Sequence, residues 1–198
     1  MNKIKKIIIG TNNVGKYKEI CDLLPHKVQK YYPKKFNLLT PDETGKTFRE
    51  NSLIKASYFS KKTNLICLSD DSGLEIELLK GKPGIYSSRW SGEKDNFNLA
   101  IKKIYKEMKR IKHNWENDNS ARFVCAMTIF WPNGKSYTSQ GTIKGKISTN
   151  KKGNKGFGYD PIFIPEGYSQ TFGEMDFKLK VSIDHRFKAF HKIKKFFN

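Results

Sequence analysis

The sequence predicts a mixed α/β domain. Three observations carry this expectation: apolar runs bounded by turn residues alternate with stretches of helical periodicity, a hairpin signal stands in the second half, and no repeat or linker breaks the 198 residues. The hairpin argues for a mixed sheet over a wholly parallel one. The length suits a single domain, 1–198, with a sizeable core. Aromatic residues, at 13%, supply packing material despite a charged fraction of 29%.

Lys5–Ile9 reads as the first strand, and Lys16–Leu24 as a helix that turns Ile20, Leu23 and Leu24 inward and stops at Pro25. Leu38–Phe48 is a loop around Pro41-Asp42-Glu43-Thr44-Gly45. A second helix covers about 48–62, with Leu53, Ala56 and Phe59/Ser60 on its inner face. Leu65–Leu68 is a buried strand with paired acids at its end. Leu74–Leu78 then alternates apolar and acidic residues, as a half-exposed strand does. Gly81, Pro83 and Gly84 mark a turn-rich loop. Leu99, Ile101, Ile104, Met108 and Ile111 recur at helical spacing, with Lys102, Lys103, Lys106, Lys109 and Arg110 between them: an amphipathic helix with a basic outer side. Arg122–Phe130 is a long strand, Pro132-Asn133-Gly134 a hairpin turn, and Tyr137–Ile147 the returning strand. The last helix starts near His185 and packs through Phe187, Phe190, Ile193 and Phe197.

The net charge is +19, which favours polyanions such as nucleotides. The basic residues are spread from Lys3 to Lys195, and no helix-turn-helix, RRM or zinc-finger pattern accompanies them, so no specific nucleic-acid partner is expected. No stretch is long and apolar enough for a membrane span. Cys21, Cys67 and Cys125 are odd in number and widely spaced, which fits reduced thiols in the cytoplasm.

Two motifs carry chemistry. Ser69-Asp70-Asp71-Ser72-Gly73 places adjacent carboxylates beside a hydroxyl. Such acids repel each other unless a cation compensates them, and Mg²⁺ suits them because it binds through one or two carboxylates plus substrate phosphates. Gly10-Thr11-Asn12-Asn13-Val14-Gly15-Lys16 lies between a strand and a helix, where N–H groups, the helix dipole and a lysine favour a phosphate. Its spacing follows the phosphate-binding loop until Tyr17, which replaces the Ser or Thr that would hold Mg²⁺. Any metal must then be held elsewhere; Asp70 and Asp71 are candidate carboxylates, with Glu43 as a further one.

Further blocks follow in order: Phe48-Arg49-Glu50-Asn51-Ser52-Leu53-Ile54-Lys55-Ala56, Gly81-Lys82-Pro83-Gly84 through Gly92, Gly156-Phe157-Gly158-Tyr159-Asp160-Pro161-Ile162-Phe163, and His185-Arg186. Together with the two motifs, this series resembles the inosine/xanthosine triphosphate pyrophosphatase family, from about Ile7 to the C-terminal helix. The resemblance implies an elongated mixed sheet flanked by helices, with two lobes around a nucleotide cleft. It implies a homodimer that uses Mg²⁺ to hydrolyse ITP, dITP or XTP to the monophosphate and pyrophosphate. By the same resemblance, Thr11, Asn12, Asn13, Val14, Gly15 and Lys16 hold the phosphates. Asp71 is general base and metal ligand, with Asp70 and Glu43 as further metal-binding acids. Ser72, Phe157, Gly158, Tyr159, Asp160, Lys180, His185 and Arg186 contact substrate. Phe157 or Tyr159 is expected to stack on the base, with donors from Lys180, His185 or Arg186. A cation at the start of the last helix opposes its dipole, so Arg186 calls for an anionic partner.

The C-terminal block departs from the family pattern at Val181 and Asp184, which bears on the ranking of ITP, dITP and XTP. The alternatives are a septum-inhibitor (Maf-like) nucleotide pyrophosphatase, which should lack the Phe-Gly-Tyr-Asp and His-Arg blocks, and a basic nucleic-acid-binding protein, which would not explain the paired acids.

Overall fold

The computed structural model describes residues 3–197. A six-stranded sheet runs in the order β2-β1-β3-β4-β5-β6. Its strands are β1 (Lys6–Ile9), β2 (Gln29–Tyr31), β3 (Cys67–Ile76), β4 (Ser120–Phe130), β5 (Ser136–Ile147) and β6 (Phe163–Pro165). The helices are α1 (Val14–Leu23), α2 (Phe48–Thr63), α3 (Phe97–Ile111), α4 (Phe177–Ile183) and α5 (His185–His191). The sheet is mixed, as expected: β1 pairs in parallel with β2 and β3, whereas β5 and β6 are antiparallel.

The chain divides into two compact units, one of Met1–Asp71, Cys125–Gly141 and His185–Asn198, the other of Ser72–Val124 and Thr142–Asp184. In the first unit both faces of β1 are covered, so the strand reads as an unbroken Ile7-Ile8-Ile9 run. Ile7 and Ile9 join Ile20, Leu68, Met127, Phe190 and Phe197 on one side. Ile8 joins Ala56, Phe59, Cys67 and Phe130 on the other. In the second unit one core gathers Leu74, Ile76, Ile101, Ile104, Met108, Phe123, Ile147, Phe163 and Phe172. There Glu75 turns outward and meets Arg122 at 2.6 Å, which accounts for the alternation that begins at Leu74.

Several expectations shift. The paired acids lie inside one continuous strand, β3, and not at the end of a separate one; β3 then stops at Ile76, short of Leu78. Leu53 is exposed on α2, and Asn51, Ser52 and Lys55 are buried instead, because that helix face serves polar partners as well as the core. Leu99 and Ile111 are likewise exposed on α3. The short strands β2 and β6 and the helix α4 lacked a periodic signal long enough to read.

Gly141 on β5 fixes how closely the last helix approaches. A Cβ there would stand 2.2 Å from the His185 carbonyl oxygen and 2.3 Å from the Ala189 nitrogen. Both neighbours are backbone, so Gly141→Ala must push α5 off the strand. We expect a loss of about 1–3 kcal/mol, the range for overpacking a tight contact, read as a lower urea midpoint. Unchanged stability would mean that α5 is loosely seated.

Candidate active site

In the first unit β1 delivers the chain to the turn before α1. Thr11 Oγ1 accepts from Asn13 N–H at 3.2 Å, and Asn13, as helix cap, accepts from Lys16 N–H at 3.0 Å. Asn12 is tied on both sides: its Nδ2 donates to the Leu38 carbonyl at 3.1 Å, and its own carbonyl accepts from Tyr32 Oη at 2.9 Å. Val14 and Gly15 open α1, whose first N–H groups and dipole favour an anion. Tyr17, where a phosphate loop would carry a hydroxyl for the metal, packs against Tyr32 at 4.5 Å between ring centres.

Asp70 is fully buried. Lys16 Nζ lies 3.4 Å from its Oδ2, and Arg186 donates to the same oxygen from Nη2 at 3.1 Å and Nε at 3.3 Å. Burial alone would raise the Asp70 pKa, but Lys16, Arg186 and Lys55 overcome it and hold the carboxyl well below the ordinary range. Its other oxygen, Oδ1, is buried with no hydrogen-bond partner among the described residues. Arg186, only 1% exposed, also pairs with Glu19 on α1. The anionic partners called for at the start of α5 are therefore carboxylates of the chain itself. His185 is buried beside it.

Asp71 points to a second cation. Its Oδ1 meets Lys55 Nζ at 3.0 Å, and its Oδ2 accepts from Asn51 Nδ2 at 3.3 Å. Lys55 pairs as well with Glu43, from the loop before α2. Burial raises the Asp71 pKa, with Glu43 reinforcing and Lys55 and Lys16 opposing. Asn51 Oδ1 accepts from Gly45 N–H at 2.8 Å, so one carboxamide ties the Glu43 loop to Asp71. The start of α2 is fixed further by Thr47, which caps Glu50 N–H at 3.1 Å, and by Glu50 Oε2, which accepts from Lys46 N–H at 2.6 Å.

These donors suit a hard divalent cation. They are carboxylate oxygens, and Asp70 Oδ1 is buried without a proton donor. Among the described residues no group of three or more His, Cys, Asp or Glu side chains is arranged for a metal. That is compatible with a cation that takes one or two carboxylates and completes its shell with phosphate and water.

The second unit holds Ser72, half-buried on β3, and the remaining predicted residues. Gly156, at φ +72°, lets Asp160 fold back, since a Cβ there would lie 2.1 Å from Asp160 Oδ2. That oxygen accepts from Phe157 N–H at 2.8 Å and from Lys180 Nζ at 2.5 Å. Gly158 continues the turn, and Lys180 Nζ sits 4.8 Å from the centre of the Phe157 ring. Tyr159 is a core residue. Only 2% exposed, it donates to the Ser87 carbonyl at 2.8 Å and packs edge-on against Phe97. Of the two rings considered for stacking, Phe157 is thus the one outside the core. A groove of 840 Å³ in this unit, lined by Glu75, Arg122, Lys144 and Tyr168 among others, contains none of the predicted residues.

Residues 7–196 match the Ham1 family. This chain belongs to that family. A dITP/XTP pyrophosphatase of Caulobacter vibrioides is 40% identical over 189 residues, covering 96% of each chain. A HAM1 protein from Coxiella burnetii superposes with a TM-score of 0.86 at 32% identity, over 97% of this chain and 98% of that one. The Ham1 protein of Staphylococcus aureus gives 0.82 at 32% identity, over 97% of both.

In this Ham1 chain the structure adds Glu19, Asn51 and Lys55 to the predicted residues. Each had a trace in the sequence. Asn51 and Lys55 are four apart, hence on one helical face. Glu19 lies three residues after Lys16, one turn into α1. Nothing in the spacing, however, says which acids those polar side chains meet.

Proposed function

We propose that this Ham1 chain hydrolyses non-canonical purine nucleoside triphosphates (ITP, dITP, XTP) to the monophosphate and pyrophosphate, with Mg²⁺, as a cytoplasmic homodimer. The observation that carries the reading is the seating of Lys16, at the phosphate loop, 3.4 Å from an acid pair that also engages Glu43 through Lys55. Thr11–Lys16 bind the phosphates. Of the acids Glu43, Asp70 and Asp71, one or two would hold Mg²⁺ directly, which when bound neutralises charge on phosphate oxygens. The Asp71 carboxylate accepts the proton of the attacking water. The phosphorus–oxygen bond to pyrophosphate then breaks. Arg186 acts by fixing Asp70. The two buried thiols, Cys67 and Cys125, suit a reducing compartment.

Phe157, with His185 and Ser72 as further contacts, receives the base, and Lys180, oriented by Asp160, donates to an oxygen at purine position six. Adenine presents an amino donor there, so an N–H of the Lys180 ammonium would face another donor while Asp160 still holds the head. Sites that use hydrogen bonding in this way discriminate far better than apolar fit does. With Mg²⁺ present, steady-state assays on ITP, XTP, dITP, ATP and GTP should release pyrophosphate, with kcat/KM for ITP or XTP about 10² or more above that for ATP. Orthophosphate as first product, or equal rates on ATP, would refute the reading.

A further inference from the structure

Among the described residues the Lys55 ammonium hydrogen-bonds to Glu43 and Asp71 alone. Lys55 is 3% exposed, and its ammonium bridges Glu43 and Asp71 Oδ1, the carboxylates read above as metal ligands. We propose that Lys55 is an exchangeable internal cation: it holds these two carboxylates together until nucleotide phosphates draw it away, and only then does a divalent cation take its position.

The proposal rests on the reading of Glu43 and Asp71 as metal ligands. A buried ammonium persists only when paired, and here two carboxylates pair it. A divalent cation within about 4 Å would repel it strongly, because like charges that close in a partly desolvated site interact far more than in bulk water. The metal and the ammonium therefore exclude each other. Lysine suits exchange because a point charge rides on a flexible four-carbon stem, so it can swing while α2 stays in place. The carboxylates need not move with it. Asn51 keeps hold of Asp71 Oδ2 and Gly45 N–H, which anchors both the strand and the Glu43 loop. An arriving triphosphate offers the ammonium new anionic partners. Metal and nucleotide affinities are then coupled, and by linkage each raises the other.

The test measures metal affinity, not turnover. Mg²⁺ alone is titrated into wild type, Lys55→Met and Lys55→Gln, by calorimetry and by thermal unfolding. Wild type should bind only at millimolar concentrations and gain little in Tm. Either variant should bind at least about tenfold more tightly, since the repulsion is gone, and should recover Tm as Mg²⁺ fills the position. Adding Glu43→Gln should cancel the gain. Tight Mg²⁺ binding by wild type alone, no gain in a folded variant, or a gain that survives Glu43→Gln would each overturn the proposal. If neither variant folds, wild type decides through Mn²⁺ binding: affinity that fails to rise with a saturating α,β-methylene nucleoside triphosphate overturns it, and a rise upholds it. A metal gain without ITP hydrolysis would leave the exchange standing and remove the hydrolytic reading; hydrolysis without the gain would do the reverse.

Discussion

Asp71→Asn should lower kcat by about 10²–10⁴-fold, the usual contribution of a general base, with nucleotide binding largely retained. The carboxamide keeps the shape of the side chain but cannot take up the water's proton. It also offers one acceptor where Asp71 uses two, toward Lys55 and Asn51. One of those donors loses its partner, a further cost of about 1–3 kcal/mol in stability. Pyrophosphate release in single-turnover assays, together with calorimetric binding of nucleotide, separates the two effects. A near-normal kcat would remove Asp71 from the role of base. Loss of binding with unchanged kcat on the bound fraction would make it a binding residue.

Arg186→Met should be the most damaging substitution to the fold. The guanidinium is buried between Glu19 and Asp70, and its removal takes a buried counter-ion from two carboxylates, Asp70 keeping Lys16. Breaking one side of a buried pair costs about 3–5 kcal/mol, on the order of 10 °C in Tm for a chain of this size. The pH dependence has a definite sign. Folded Asp70 titrates below its unfolded value, so its ion pair contributes fully above about pH 4 and is lost as the pH falls through the folded value. The gap between variant and wild type should therefore be widest at neutral pH and narrow in acid. A loss of under about 1 kcal/mol at pH 7, typical of an exposed pair, would show that the Arg186 pairing is not structural. Arg186→Lys should restore only part of the stability, because a single ammonium cannot reproduce the three donors the guanidinium uses.

The two motifs that predicted chemistry are local, and so they were legible. Asn13 caps α1 and shapes the turn after β1 through contacts within three residues. Apolar runs such as Ile7-Ile8-Ile9 show a strand covered on both faces without any tertiary knowledge. The adjacency of Asp70 and Asp71 already calls for cations. The sequence by itself thus determined the α/β class, the capped turn between β1 and α1 and the need for positive charge at the acid pair. Which cation serves which acid was decided only in three dimensions. Arg186 meets Asp70 across 116 positions of chain and Glu19 across 167, while Lys55 reaches Asp71 across 16. Pairing in a low-dielectric interior depends on distance in space, which no spacing rule encodes. Tyr159 makes the same point from the other side. Its place in the Phe-Gly-Tyr-Asp block suggested a ring for the base, yet the partners that bury it, Ser87 and Phe97, come from distant segments. Packing put Tyr159 in the core and left Phe157 outside it, and burial set Arg186 against Asp70 and Glu19.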